Sequence, residues 1–263
     1  MPFLTRQLIV VHGKFLTVIW VTSKKHLVYK RMKLIRTIIF LTALSSCSIG
    51  DFEIKTVQKP IDSSQGIDSV LSKLESIDYD ELSEAYKKET GHVGAYIKMV
   101  KNGTFYRLNE TDTEKYIVGR IKIGELVSHD DNLFNNWIFG AKSYQHIWLI
   151  DKELLYKILE LQNELAKRGY NSDGFQIKNG HRHPTHNSRI GGAKKSQHIA
   201  GKAVDIVVLD INRDGKSNQS DKEIVLEILE EKVIRNKGGI GRYPGTMVVH
   251  FDVRGKKARW DSY

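Results

Sequence analysis

The chain has 263 residues but a single cysteine, Cys47, and only four prolines. One cysteine excludes a disulfide within the chain and any metal site built from thiolates alone. So few prolines exclude a proline-rich spacer. Acidic residues are missing from positions 1–46, which carry eight basic ones: Arg6, Lys14, Lys24, Lys25, Lys30, Arg31, Lys33 and Arg36. Without that leader, 33 basic residues face 31 acidic ones, so the formal charge of +10 belongs mostly to the leader. The remainder has no electrostatic footprint for nucleic acid, and no nucleic-acid partner is expected. Long apolar runs are also missing. Thr37 to Leu44 is too short to span a bilayer, and the run before it is broken by His12, Gly13 and Lys14. What is present is 40% hydrophobic and 27% charged, ordinary globular composition and enough for one core with a small appendage.

The leader reads as an export signal. Met32-Lys33-Leu34-Ile35-Arg36 is a short basic start, Thr37 to Leu44 an apolar stretch, and Leu44-Ser45-Ser46-Cys47 comes next. This arrangement resembles a bacterial lipoprotein signal, with Cys47 as the lipidated residue. It implies an exported protein, anchored to a membrane in the bacterial cell envelope. Residues 32–46 would then be the signal peptide. Residues 1–31 would be an upstream extension without structural role, or else an unusually long basic region.

Residues 47–66 are polar and include Pro60, and read as a tether. In 67–144, Ile67, Val70, Leu71, Leu74 and Ile77 recur at helical spacing. Ala95–Val100 and Thr104–Leu108 flank Asn102-Gly103 and predict a β-hairpin. Tyr116–Val118 and Ile121–Ile123 suggest further short strands. From residue 145 onward the elements are clearer. Asp151 is a good N-cap for a helix carrying Leu154, Leu155, Ile158, Leu161 and Leu165, ending near Gly169. Phe175–Lys178, Lys202–Leu209 and Thr246–Val253 read as strands, the last of these as the final one. Glu223–Ile234 reads as a helix, and Gly238–Gly241 as a tight turn. The class is α+β: a small antiparallel sheet with packed helices. A monomer is expected.

The richest chemistry lies in Ser196–Asp205 and Val249–Asp252. These stretches hold two imidazoles, His198 and His250, and the carboxylate Asp205. Asp205 interrupts the apolar run Ala203–Val208, where a carboxylate is costly to bury unless paired or bound to metal. Three protein ligands with an open fourth position suit a catalytic zinc ion. Side chains alternate along a strand, so Val248, His250 and Asp252 share one face.

Several blocks occur in order. They are Asn179-Gly-His-Arg182, Asn187, Gly191-Gly192-Ala193, Ser196-x-His198-x-x-Gly201-x-Ala203-x-Asp205, Gly239-x-Gly241-x-Tyr243-Pro244 and Val249-His250-x-Asp252-x-Arg254. They resemble the zinc D-Ala-D-Ala carboxypeptidase family, most closely its murein endopeptidase branch, over 145–263. The resemblance implies the compact α+β fold shared with the hedgehog signalling domain. It implies His198, Asp205 and His250 as zinc ligands. It also implies Arg182 as the arginine that binds substrate and stabilises the transition state, with peptidoglycan peptides as partners. Two departures stand out. The first block usually begins with Ser, here Asn179. A second histidine carried by some members two residues before the last ligand is Val248 here. Asp252 is then the same-face choice for a general base, or a carboxylate orienting His250. His181, His183 and His186 are expected on a solvated loop, with substrate binding as the other reading. The implied function is a zinc peptidase cutting peptidoglycan stem peptides or cross-links; a non-catalytic zinc module that holds peptidoglycan is the alternative.

A second ion is expected. Asp210, Asn212, Asp214, Gly215, Asn218 and Asp221 match calcium-loop positions 1, 3, 5, 6, 9 and 12, with Lys216 at 7. The pattern resembles a dockerin loop, and calcium there would stiffen the end of the Asp205 strand.

Overall fold

A computed structural model describes residues 6–11, 14–19, 61–128 and 146–261. Cys47, the segment 32–46 and the tether up to residue 60 lie outside them. The chain divides into two compact units, Met1–Thr56 and Val57–Tyr263. In the first, β1 (Arg6–Val11) pairs antiparallel with β2 (Lys14–Ile19).

The second unit is built on a five-stranded sheet. Its strands are β8 (Phe175–Asn179), β9 (Ala203–Val208), β10 (Gly239–Gly241), β11 (Val248–Asp252) and β12 (Ala258–Trp260), in spatial order β12-β10-β11-β9-β8. All neighbours are antiparallel except β10 and β12. Alternation divides β9 cleanly. Val204, Ile206 and Val208 enter the core with Val249 and Phe251 of β11. Asp205 takes the other face, directly opposite His250 in the register.

The core face is covered by α6 (Lys152–Lys167), whose Leu154, Leu155, Ile158, Leu161 and Leu165 are buried. Asp151 caps this helix as expected, accepting from the Glu153 N–H at 3.0 Å. Truncating a side chain such as Leu161, which is fully buried, to Ala would cost about 2–5 kcal/mol. Next to α6 lies α8 (Gln219–Ile228), which widens into a π-turn over Leu229–Val233. It starts four residues before the expected Glu223, because Asn218 is its N-cap and Asp221 its first-turn carboxylate.

Residues 61–128 belong to the same unit. They form α1 (Ser64–Leu71), β3 (Glu75–Ile77), α2 (Glu84–Thr90), α3 (Ala95–Val100), β4 (Phe105–Leu108), α4 (Glu110–Thr113), β5 (Tyr116–Val118), β6 (Ile121–Lys122) and α5 (Ile123–Leu126). β4 pairs with β3 on one side and with β7 (His146–Leu149) on the other. Ile67, Leu108, Ile117 and Leu126 pack in one core with Leu154, Val204 and Phe251. The end of the expected tether is also structured: Ile61 bridges Gly119 and Ser63 caps α1.

Three strand and turn expectations are corrected. Ala95–Val100 is a helix, because Tyr96, Ile97, Met99 and Val100 gather on one side against Ile77, Phe105 and Leu149. A short, mostly apolar run of this kind fits either period until a partner selects one. Gly238–Gly241 is not a tight turn but mostly strand β10. Gly239 and Gly241 lie opposite Asp252 and His250. A Cβ on Gly239 would come within 2.3 Å of Asp252 Oδ2, and one on Gly241 within 2.7 Å of Trp260 Nε1. These glycines therefore make room for side chains of the site. Finally, β11 is not the last strand: β12 comes after it and brings Trp260 alongside β10.

Candidate metal centre

Three side chains converge on the open face of the sheet. His250 Nδ1 lies 2.9 Å from Asp205 Oδ1, His198 Nε2 lies 3.2 Å from the same oxygen, and the two ring nitrogens are 3.1 Å apart. All three residues are buried, and among the described residues they form the one group of this kind able to hold a metal ion. Register sets Asp205 against His250. His198 arrives from the turn before β9, where its Nδ1 donates to the Gly180 carbonyl at 2.6 Å.

The outward hydrogen bonds decide what faces inward. The Gly180 carbonyl can only accept, so His198 carries its proton on Nδ1 and turns a bare Nε2 to the centre. His250 Nε2 lies 3.0 Å from Asp252 Oδ2, a carboxylate also gripped by Arg254 through Nε at 2.8 Å and Nη2 at 2.5 Å. Asp252 therefore accepts from Nε2, and His250 turns Nδ1 inward. Two imidazole nitrogens and a carboxylate oxygen then meet at about hydrogen-bond distance, which repels unless a cation lies between them. Without metal, a proton is drawn into the gap. Burial opposes charge on His250, but hydrogen bonds to Asp205 and Asp252 raise it above the ordinary histidine value. Burial lowers His198 despite Asp205. Burial alone would raise Asp205, yet the two imidazoles hold it well below the usual carboxylate range. This donor set fits zinc, with both ligating histidines oriented by an acceptor on the far ring nitrogen.

Arg182 is also brought in. Its Nη2 donates to Asp205 Oδ2, and its backbone N–H to the His198 carbonyl at 3.1 Å. Asp252 is fully buried, and its oxygens are taken by His250, Arg254 and the Gly239 N–H at 3.0 Å. Burial would raise its pKa, but His250 and Arg254 hold it well below the usual range. It does not line the cavity of about 730 Å³ that opens beside the cluster, whereas Asn179, Arg182, Lys195, Tyr243 and Trp260 do.

None of the three histidines expected on a solvated loop is exposed, and His186 is half-buried on the short helix Pro184–Arg189. His183 and His181 are buried, and His183 packs edge-on against Tyr86 at 5.5 Å and His181 at 5.0 Å. His92 joins this group, 6.3 Å from His183. Sequence reasoning passed over His92 and Tyr86, which lie some ninety positions away from the loop and carry no local signal. It also passed over Trp260, whose ring lies 5.0 Å from that of His250 and 5.1 Å from the Arg254 guanidinium carbon. The strand that carries it is three residues long.

The loop expected to bind calcium is held by its own hydrogen bonds. Asp210 accepts from the Asp214 and Gly215 N–H groups at 3.1 and 3.0 Å. Asp221 accepts from Ile211, Asn212 and Asn218 N–H groups at 2.9–3.0 Å. The Asn218 side-chain oxygen caps α8 through the Ser220 N–H. Asn212 Oδ1 and Asp214 Oδ1 accept from the loop's own Asp214 and Lys216 N–H groups. An Asx-rich turn leading into a capping box uses the same residue types as a calcium loop.

Geometry and donor chemistry define a three-ligand centre of the kind found in zinc hydrolases. A family model described as Peptidase M15 matches residues 153–252, which contain Arg182, His198, Asp205 and His250. The match makes this segment similar to the Peptidase M15 family and supports a zinc-dependent metallopeptidase of the D-Ala-D-Ala carboxypeptidase type. Comparison with curated proteins and with solved structures gives no match.

Proposed function

We propose that this domain is a zinc peptidase that hydrolyses peptide bonds in peptidoglycan stem peptides or cross-links. The observation that carries the reading is the convergence of His198 Nε2, His250 Nδ1 and Asp205 Oδ1 with their far sides already hydrogen-bonded. His198, Asp205 and His250 would hold the ion. A zinc ion in such a site supplies a water acidified to a pKa of about 7 and polarises a carbonyl. Arg182, at the cavity wall, would hold the carbonyl oxygen or terminal carboxylate of the peptide; its planar fork suits a carboxylate. Asp252 would fix the tautomer of His250 rather than move the proton, since its oxygens are occupied and it is sealed from the cavity. Lipidation at Cys47 would hold the domain at a membrane close to the cell wall.

One observation favours a second reading, a zinc-bearing module that binds peptidoglycan without cutting it. Among the described residues lining the cavity, Asp205 is the only carboxylate, and His198 and His250 are the only imidazoles. All three are assigned to the ion, and Val248 offers no base. Incubating the purified protein with muropeptides, with and without a chelator, separates the two. Chelator-sensitive cleavage supports the peptidase. Retention of muropeptides with no cleavage at any zinc concentration would overturn it.

A further inference from the structure

Asp205 presents two oxygens with different partners. Oδ1 faces His198 and His250, whereas Oδ2 takes the Arg182 guanidinium and the Asn179 side chain, whose Nδ2 lies 3.2 Å away. A carboxylate accepts only, so the amide of Asn179 must present its NH₂ there.

The reach of Asn179 depends on a break in the ladder. β8 and β9 pair as Phe175↔Val208, Gln176↔Val207 and Ile177↔Ile206, and then as Asn179↔Asp205. Without the extra residue, Lys178 would stand opposite Asp205, and Asn179 would turn to the other face. A bulge adds one residue to one strand and re-aims the side chains beyond it. Here it puts a neutral donor, in place of a second cation, against the far oxygen of a metal ligand. Arg182 approaches the same oxygen from the loop after β8, so two elements hold one carboxylate plane. The neutral partner orients Asp205 without adding positive charge beside the site.

We infer that Asn179 is a positioning residue for the metal centre. It holds Asp205 Oδ2 so that Oδ1 is the oxygen offered beside His198 Nε2 and His250 Nδ1, and so raises affinity for a divalent ion. This role depends on His198, Asp205 and His250 holding zinc. Partners of metal ligands of this kind typically contribute 10–100-fold in affinity.

The test is a zinc competition titration against a chromogenic chelator, run on the full chain and on Asn179→Ala. Thermal melts in EDTA run alongside. Zinc binding about 10-fold weaker, with the EDTA melt unchanged, supports the inference. Affinity within about twofold of the parent overturns it. So does an EDTA melt that falls as far as the zinc-loaded melt, since Asn179 would then serve only the fold. If Asn179→Ala does not fold, Asn179→Ser, which keeps a shorter donor, is read by the same criteria. A parent chain that binds no zinc would instead sink the metal reading itself.

Discussion

The His198–Asp205–His250 cluster and the loop from Asp210 to Asp221 both offer residue types that ions favour, and the chain connects them directly. They differ in what holds each lone pair. In the cluster, hydrogen bonds lie on the outer sides of the ligands, through Gly180, Asp252, Arg182 and Asn179, and the inner atoms face one another. In the loop, the carboxylates turn back on the backbone N–H groups of their own turn and of Asn218, the N-cap of helix α8. A donor set becomes an ion site when other groups orient it from outside. In the loop, the same kind of donor set already holds its own turn together. The lesson extends to the buried group of His92, His181 and His183. There, neither ring nitrogen of His92 or His181 has a hydrogen-bond partner, and the three are not placed as a group able to hold a metal ion.

The contrast can be broken at several points. The largest effect is expected from His198→Ala. Zinc affinity should fall by more than the roughly 100-fold that loss of a supporting residue costs, and muropeptide cleavage should vanish with it. Undiminished cleavage would remove the cluster from the chemistry. Asp252→Asn comes next. As an orienting carboxylate it should lower zinc affinity about 10–100-fold. A general base would instead lose turnover at unchanged affinity, which a titration and a rate measured together distinguish.

Melting curves compare the two sites directly. Zinc at about 100 times its Kd should raise Tm by roughly 5–10 °C, whereas calcium should shift it by less than about 1 °C. A calcium shift as large as that of zinc would show that the loop reorganises around an ion after all.

Acid should act on the histidine group. Burial, with His183 and Lys87 nearby, pushes His92 down from 6.5 to about 3. The fold therefore favours the neutral ring. Its contribution is complete above the unfolded value and declines as pH drops from about 6.5 toward 3. Urea midpoints of the zinc-free protein should track that slope, and His92→Gln should make it shallower. An identical slope in the variant would remove His92 from the account. The smallest effect is expected at the exposed pair Arg168–Glu227, with N to O at 2.7 Å. Glu227→Gln should change stability by less than about 0.5 kcal/mol and zinc affinity not at all.

Local pattern carried much of this molecule. Asp151, the 3.6-residue spacing of leucines and the glycine after them define α6 through contacts within a few residues. The alternation in Ala203–Val208 and Val248–Asp252 defines two strands and which side chains share a face. The motif blocks put Arg182, His198, Asp205 and His250 at one site. Each of these depends on periodicity or short spacing, and both are written along the chain.

Other features had no local form. Ala95–Val100 fits a helix or a strand until Ile77, Phe105 and Leu149 supply a surface. Whether Asp252 moves protons or holds an imidazole depends on Arg254 and the Gly239 N–H closing around it. Whether the Asp210–Asp221 loop gathers an ion depends on where its backbone donors point. The bulge at Lys178 is invisible as composition, yet it decides which of two neighbours meets Asp205. The sequence alone determined which side chains could serve. Tertiary structure decided which lone pairs stay available, because a hydrogen bond is satisfied in space by groups distant along the chain.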